Sequence, residues 1–502
     1  MQNTLVDVLR LSRQDNPAAP LAHLPDGTTV SYGAFFAGAE QIAAALVAAG
    51  LGPGDRVAAQ VHKSLSALQL YVGTVMAGGV FLPLNTGYTA TELAYFIADA
   101  SPRVVVCDPA DQDAVAALAT ARVLTLDATG QGTLTKAAQG HPAGFTPVAR
   151  GADDLAAILY TSGTTGKPKG AMLSHRNLAS NAQTLADYWQ FTADDVLIHA
   201  LPIFHTHGLF VATNITLVSG GAMIFQPGFN TDDILAALPR ATALMGVPTF
   251  YTRLLQCEGL AKAAARMRLF ISGSAPLLAE THVAWEQHTG HRILERYGMT
   301  ETNMNTSNPY DGERRAGTVG VPLPGVDLRL TDGKGKRVED GQPGIVEVRG
   351  PNVFKGYWNL PEKTAEELLP DGFFVTGDIG TLDADGYLRI VGRAKDMVIT
   401  GGYNVYPKEV ELLIDAHPGV VESAVIGVPH PDFGEAVVGV VVLQSPDATT
   451  QDSILGDIGP QLARYKQPKR LFFVEALPRN AMGKVQKNLL RDRYAQTFTD
   501  AP

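Results

Sequence analysis

At 502 residues, with 45% hydrophobic and 18% charged content, the chain has the composition of a globular protein large enough for two or more domains. A formal net charge of −10 argues against non-specific nucleic-acid binding and against an anionic membrane surface. The only cysteines, Cys107 and Cys257, lie in unrelated contexts and support neither a disulfide framework nor a zinc site. The first residues, MQNTLVDVLRLSRQDN, lack an apolar signal core, and no run approaches ~18 consecutive apolar residues, so a cytoplasmic protein with no membrane span is expected.

From about residue 30 two patterns alternate. Phe35 to Gly50 is Ala-rich, with apolar residues at helical spacing and a glycine where a C-cap belongs. Arg56–Val61 reads as a strand, Ser64–Met76 as a helix and Val80–Leu84 as a strand. Arg103–Cys107 and Val123–Leu126 read as strands flanking a helix over Gln112–Thr120. Alternation of this kind predicts parallel sheet with helices on its faces. Gly130 to Gly151 reads as a surface loop, and Leu155–Leu159 as a buried strand. The alternation resumes from Leu178 to Ile271, with strands at Thr242–Val247 and Leu269–Ile271. From Gly317 to about Val391, short β-like runs such as Val326–Leu330 and Gly344–Val348 stand between Gly- and Asp-rich turns, which predicts a small β-barrel or sandwich. After Gly392–Asp396 the βα pattern returns, including Val420–Val428 and Val437–Leu443, and a domain boundary is placed there.

The stretch Tyr160 to Gly170, YTSGTTGKPKG, follows the Leu155–Leu159 run and combines glycines, Ser/Thr hydroxyls, Lys167 and Lys169. Glycine permits close backbone approach to a ligand, and hydroxyls with backbone N–H groups suit phosphate oxygens. A polar hairpin loop has the same composition. It is no Walker A loop, because Thr161 and Pro168 stand where Gly and Ser/Thr are required. The order TSGTTGKPKG, however, resembles the phosphate-binding signature of the adenylate-forming superfamily, which includes acyl-CoA synthetases, firefly-luciferase-like enzymes and peptide-synthetase adenylation domains.

Four further stretches carry the same resemblance: Gly273-Ser274-Ala275-Pro276 with Tyr297-Gly298-Met299-Thr300-Glu301; Thr376-Gly377-Asp378 with Gly392-Arg393-Ala394-Lys395-Asp396; Gly401-Gly402-Tyr403; and Pro478 to Lys484. With signatures in family order across residues 160–484, the chain is identified as a member of that superfamily. The resemblance implies an α/β fold: a large N-terminal domain of two α/β subdomains plus a small β-barrel (1–393), a hinge (394–396) at Lys395 and Asp396, and a small mobile α+β C-terminal domain (397–502). It implies ATP contacts at Thr161, Ser162, Gly163, Thr164, Thr165, Lys169, Gly273, Ser274, Ala275, Tyr297, Gly298, Met299, Thr300, Asp378 and Arg393. Tyr297 would stack on adenine, Thr300 would meet the adenylate phosphate, and Asp378 and Arg393 would hold the ribose. Glu301 would ligate Mg²⁺, an ion that suits one carboxylate plus substrate phosphates. Lys484 would stabilise charge as the adenylate forms. Gly401, Gly402 and Tyr403 would line a CoA tunnel. Pro202 to Gly208, PIFHTHG, resembles the acyl-gate segment and makes His205 the gate, with His207 held more loosely; as a zinc half-site this His-x-His lacks a third ligand.

Arg296 stands just before the Tyr297 motif, where many relatives with apolar acyl groups carry a small residue. An Arg fork suits a second, distal carboxylate, although pairing with Glu295 or Glu301 would explain the residue equally well. GVPTFYTRLL (from Gly246), FISGSAPL (from Phe270) and ERYGMTETNMNTSNPYDG (from Glu295) resemble malonyl-CoA synthetases. That resemblance implies malonate, with methylmalonate as a second acid, together with ATP, Mg²⁺ and CoA. Arg296 and Ser274 are the candidates for the distal carboxylate, Arg253 is in reserve, and Met304 is a candidate to limit pocket depth. The rivals are another short-chain or aryl acyl-CoA ligase, a luciferase-type oxygenase, a carrier-loading adenylation domain, and a catalytically silent nucleotide-binding protein. Regulatory acetylation of Lys484 by a lysine acetyltransferase is a further expectation.

Overall fold

The computed structural model describes residues 3–161, 168–339, 341–400, 403–445, 449–480 and 483–498. They pack as two compact units, one of Met1–Asp327 with Val348–Phe374 and one of Leu328–Glu347 with Val375–Pro502.

Two sheets build the first unit. The six-stranded sheet runs, in spatial order, Arg122–Thr125, Val104–Cys107, Arg56–Gln60, Val80–Pro83, Leu155–Thr161 and Lys169–Ser174. Its pairings are parallel except the last, which is antiparallel. Central strands such as Val104–Cys107 and Val80–Pro83 are buried throughout. That is why they read as unbroken apolar runs and why helices cover both faces. Among these helices, Tyr32–Ala48 and Leu65–Met76 start at Ser31 and Ser64, whose hydroxyls accept the Ala34 and Ala67 N–H groups. Helix Ala90–Ala100 was absent from the sequence reading, yet its entrance is a full capping box of Thr89 and Glu92.

The nine-stranded sheet runs Val321–Pro322, Asn303–Ser307, Leu294–Met299, Leu269–Ser272, Ala243–Gly246, Val196–His199, Ala222–Phe225, Pro20–His23 and Thr29–Ser31. Its core is parallel and its two ends are antiparallel. A large apolar cluster centred on Trp189, Tyr251, Phe270 and Trp285 packs against it.

The second unit contains most of a four-stranded sheet, Asp327–Thr331, Gly344–Arg349, Phe374–Leu382 and Leu388–Arg393, in the region read as a small barrel or sandwich. Its other sheet is built on the long antiparallel pair Val420–His430 and Gly434–Leu443, with Arg470–Phe473 parallel to the latter. Ala394–Asp396, expected as a hinge, is a 3₁₀ turn within this unit. Among the described residues no helix is long and apolar enough to cross a membrane.

The hairpin from Leu294–Met299 to Asn303–Ser307 slips register between Tyr297 and Gly298. A Cβ at Gly298 would lie 1.8 Å from the Asn303 carbonyl oxygen. Backbone on backbone cannot relax by rotamer choice, so Gly298→Ala is expected to cost about 3 kcal/mol or more. A clear drop in calorimetric melting temperature checks this.

Candidate active site

Four neighbouring strands of the nine-stranded sheet run parallel: Val196–His199, Ala243–Gly246, Leu269–Ser272 and Leu294–Met299. The segments after them therefore leave at one edge of the sheet, where α/β folds bind ligands. These segments begin at Pro202–Gly208, Pro248, Gly273–Pro276 and Thr300–Glu301, so the sheet collects motifs scattered over a hundred residues of sequence.

Glu295 and Arg296 are consecutive on a strand and their side chains take opposite faces. Glu295 is buried and turns away: Oε1 accepts the Leu277 N–H at 3.1 Å, and Oε2 makes no hydrogen bond. Burial pushes its carboxyl up to about 8. Arg296 is 2% exposed. Among the described residues its Nε and Nη2 have no hydrogen-bond partner, which removes the Glu295 pairing as an account of the residue. Burial lowers its pKa to about 10, against opposing pulls from Tyr251 and Glu295, and leaves it a cation at neutral pH. The guanidinium lies over Gly273, where a Cβ would come within 2.4 Å of its Cζ. That close approach explains a glycine in the Ser-Gly-Ser-Ala-Pro loop.

Beside it, Ser274 adopts φ +70° and its Oγ lies 3.2 Å from His207 Nδ1. His207 is buried at the start of the π-helix His207–Thr213, a helix type common at functional sites. Burial first, then Arg296, His205 and His199, hold its pKa well below the usual histidine range, so the imidazole is neutral. Its Nε2 also has no partner. A buried cation, a neutral imidazole and a hydroxyl side by side have the chemistry to receive an anion. Arg253 is not part of this cluster: it is exposed, with its guanidinium 5.9 Å above the Phe229 ring. His205 is half-buried with its ring 6.4 Å from that of Phe204, and Met304 lies in the apolar core.

On the nucleotide side, Tyr297, Met299 and Thr300 are half-buried and Ala275 is exposed. Thr161 and Lys169 face each other across paired antiparallel strands. Glu301 is buried, and its Oε1 accepts the Tyr357 hydroxyl at 3.0 Å. Lys169 Nζ lies 3.4 Å from Glu367 Oε1. Among the described residues no group of three or more His, Cys, Asp or Glu could hold a metal. A lone carboxylate fits an ion held chiefly by substrate phosphates.

In the second unit, Gly377 takes φ +71° and Asp378 is buried. Asp378 Oδ1 pairs with Arg393 Nε at 2.6 Å across the antiparallel strands, and its N–H donates to Thr376 Oγ1. Burial lowers the Lys395 pKa, and Asp396 pairs with Arg491 at 3.1 Å. Lys484 is exposed at the end of a turn in which its N–H donates to Asn480 Oδ1 at 3.0 Å. Tyr403 is exposed and stacks on Tyr465. Ser162, Gly163, Thr164, Thr165, Gly401 and Gly402 lie outside the described residues.

Residues 11–358 match the AMP-binding enzyme family and residues 409–484 match the AMP-binding enzyme C-terminal domain. The chain belongs to the AMP-binding enzyme family. This family member is similar to ATP-bound MatB from Rhodopseudomonas palustris at 59% identity and a TM-score of 0.97, covering 99% of this chain and 100% of that one. It is 37% identical over 477 residues to a malonate–CoA ligase of Arabidopsis thaliana, covering 87% of this chain and 78% of the relative. It is also 37% identical over 491 residues to a feruloyl-CoA synthase of an Amycolatopsis species, covering 97% and 98%. The two relatives at 37% identity are named for different acids, whereas the 59% match is to MatB. Two residues that the sequence reading missed are Tyr357, which meets Glu301, and Glu367, which meets Tyr357; the Tyr357–Glu301 contact depends on tertiary packing, and no local spacing signals it.

If Arg296 is held for a ligand, the fold does not need its charge. Arg296→Met, which fills much of the same space, is expected to melt at or above the wild-type temperature in calorimetry. Breaking a structural buried pair would instead cost about 3–5 kcal/mol.

Proposed function

We propose that this family member is an AMP-forming malonyl-CoA synthetase, converting malonate, ATP and CoA to malonyl-CoA, AMP and diphosphate, with methylmalonate as a second acid. The observation that carries the choice of acid is the buried, unpartnered Arg296 beside Ser274 and neutral His207. A feruloyl or other neutral acyl group would leave that cation without a counter-charge. Similarity to malonate–CoA ligases supports the same reading.

One malonate carboxylate is anchored by Arg296, with Ser274 and His207 completing its hydrogen bonds. The other attacks the α-phosphorus of ATP, and the bond to diphosphate breaks. CoA sulfur then attacks the acyl carbon and AMP leaves. Tyr297 stacks on adenine, Thr300 meets the α-phosphate, and Asp378, fixed by Arg393, accepts the ribose hydroxyls. The loop from Thr161 to Lys169, with Ser162, Gly163, Thr164 and Thr165, cradles the phosphates. Lys484 supplies positive charge as the adenylate forms, which is catalysis by placement and charge. Glu301 would hold a magnesium ion together with the substrate phosphates, and that ion would supply neutralisation of phosphate charge. His205 gates the acyl channel, Gly401, Gly402 and Tyr403 line the CoA path, and Lys395 and Asp396 form the hinge between half-reactions. The exposure of Lys484 leaves it open to a lysine acetyltransferase, which would remove the charge that adenylation needs.

AMP formation with malonate, methylmalonate, succinate, acetate, butyrate and 4-coumarate tests the reading. Wild type should prefer malonate, and Arg296→Ala should lower kcat/KM for malonate about 100-fold or more while sparing acetate. Preference for a monocarboxylate would refute the acid assignment. Lys484→Ala should lose adenylation by about 100-fold or more yet still transfer the acyl group from preformed malonyl-adenylate within a few fold.

A further inference from the structure

A lysine from one sheet of the first unit meets a histidine of the other, and neither takes part in the steps above. Lys63 follows the Arg56–Gln60 strand of the six-stranded sheet and is half-buried. Its Nζ lies 2.8 Å from the His199 carbonyl oxygen and 3.1 Å from His199 Nδ1, and sits 4.6 Å above the Phe225 ring. His199 and Phe225 are register partners on neighbouring parallel strands of the nine-stranded sheet. His199 is 1% exposed, and burial first, then Lys63, holds its pKa well below the usual histidine range, so the ring is neutral. Its Nε2 lies 2.9 Å from the Gly208 carbonyl oxygen and 3.1 Å from Thr213 Oγ1, and the Thr213 hydroxyl donates to the same carbonyl at 3.0 Å.

These contacts fix where the ring proton resides. A carbonyl oxygen only accepts, so Nε2 carries the hydrogen. Nδ1 of the neutral ring then accepts, and Lys63 donates to it. Gly208 lies in the first turn of the π-helix His207–Thr213, and a Cβ on it would come within 2.0 Å of the Pro202 carbonyl oxygen. The turn is thus packed on Pro202 and hydrogen-bonded to His199. His207 immediately precedes Gly208, and its Nδ1 lies 3.2 Å from Ser274 Oγ.

We infer that Lys63 and His199 are positioning residues for the acyl site: Lys63 keeps His199 in its Nε2–H form, and His199, through the Gly208 carbonyl, fixes the turn that places His207 beside Ser274. The inference rests on the proposed reading of Arg296, Ser274 and His207 as the receptor for the distal carboxylate. That carboxylate does not react, so its contacts are the same before and during the chemical step. Misplacing His207 therefore raises KM for malonate and leaves kcat alone.

The test is steady-state AMP formation by the full chain with ATP and CoA. His199→Leu, as uncharged as the native ring, should raise KM for malonate about tenfold, the size of one hydrogen bond to a charged group. Its kcat and its KM for ATP should stay within twofold of wild type. His199→Gln, whose amide again offers a donor to the Gly208 carbonyl, should bring KM for malonate back to within threefold of wild type. Lys63→Met should raise it in the same direction as His199→Leu, and it decides the question should His199→Leu not fold. A rise of less than threefold in the deciding variant, a KM for ATP that climbs in step, or a His199→Gln variant as impaired as His199→Leu overturns the inference. An unchanged KM for malonate in Arg296→Ala overturns it differently, by removing the reading of the acyl site on which it stands.

Discussion

A buried guanidinium with no hydrogen-bonded counter-charge among the described residues is the constraint on which the rest of the acyl site depends. Taking a charge from water costs several kcal/mol, and only excellent pairing offsets it. Arg296 is 2% exposed with Nε and Nη2 unmatched. The protein therefore carries a local instability that an anionic ligand relieves. Binding such a ligand would gain the pairing energy without first breaking an existing ion pair, which is the basis for proposing an acid with a second negative group.

The surroundings keep that cation in place. Strand alternation turns Glu295 away from it, toward Leu277. Gly273 leaves room for the guanidinium to lie against the backbone, where any Cβ would collide with it. His207, neutral through burial, adds no second charge to be compensated. The same economy of charge recurs within each unit: Glu367 is balanced by Lys169 and Lys363 in the first, and Asp378 is buried but paired with Arg393 in the second.

Much of this was legible in the sequence, for physical reasons. Strands buried on both faces, such as Val104–Cys107, are apolar without interruption, and Ser31 and Ser64 mark helix starts by their hydroxyls. Helix Ala90–Ala100 was overlooked although Thr89 and Glu92 signal its start at the capping-box spacing. Other features could not be read. Whether Arg296 was paired is a question about side-chain direction in three dimensions. The π-helix at His207 has no spacing of its own. Tyr357 reaches Glu301 across 56 positions of sequence, beyond any local pattern.

The most direct test of an unpaired cation awaiting a distal carboxylate is to mask that carboxylate alone. The ratio of kcat/KM for malonate to that for its monomethyl ester isolates the charge while keeping the reacting group and nearly the same shape. The account predicts a ratio of about 100 or more in wild type, falling toward one in Arg296→Met, as expected for a fully desolvated charge pair. Comparable turnover of the two acids by wild type would contradict it.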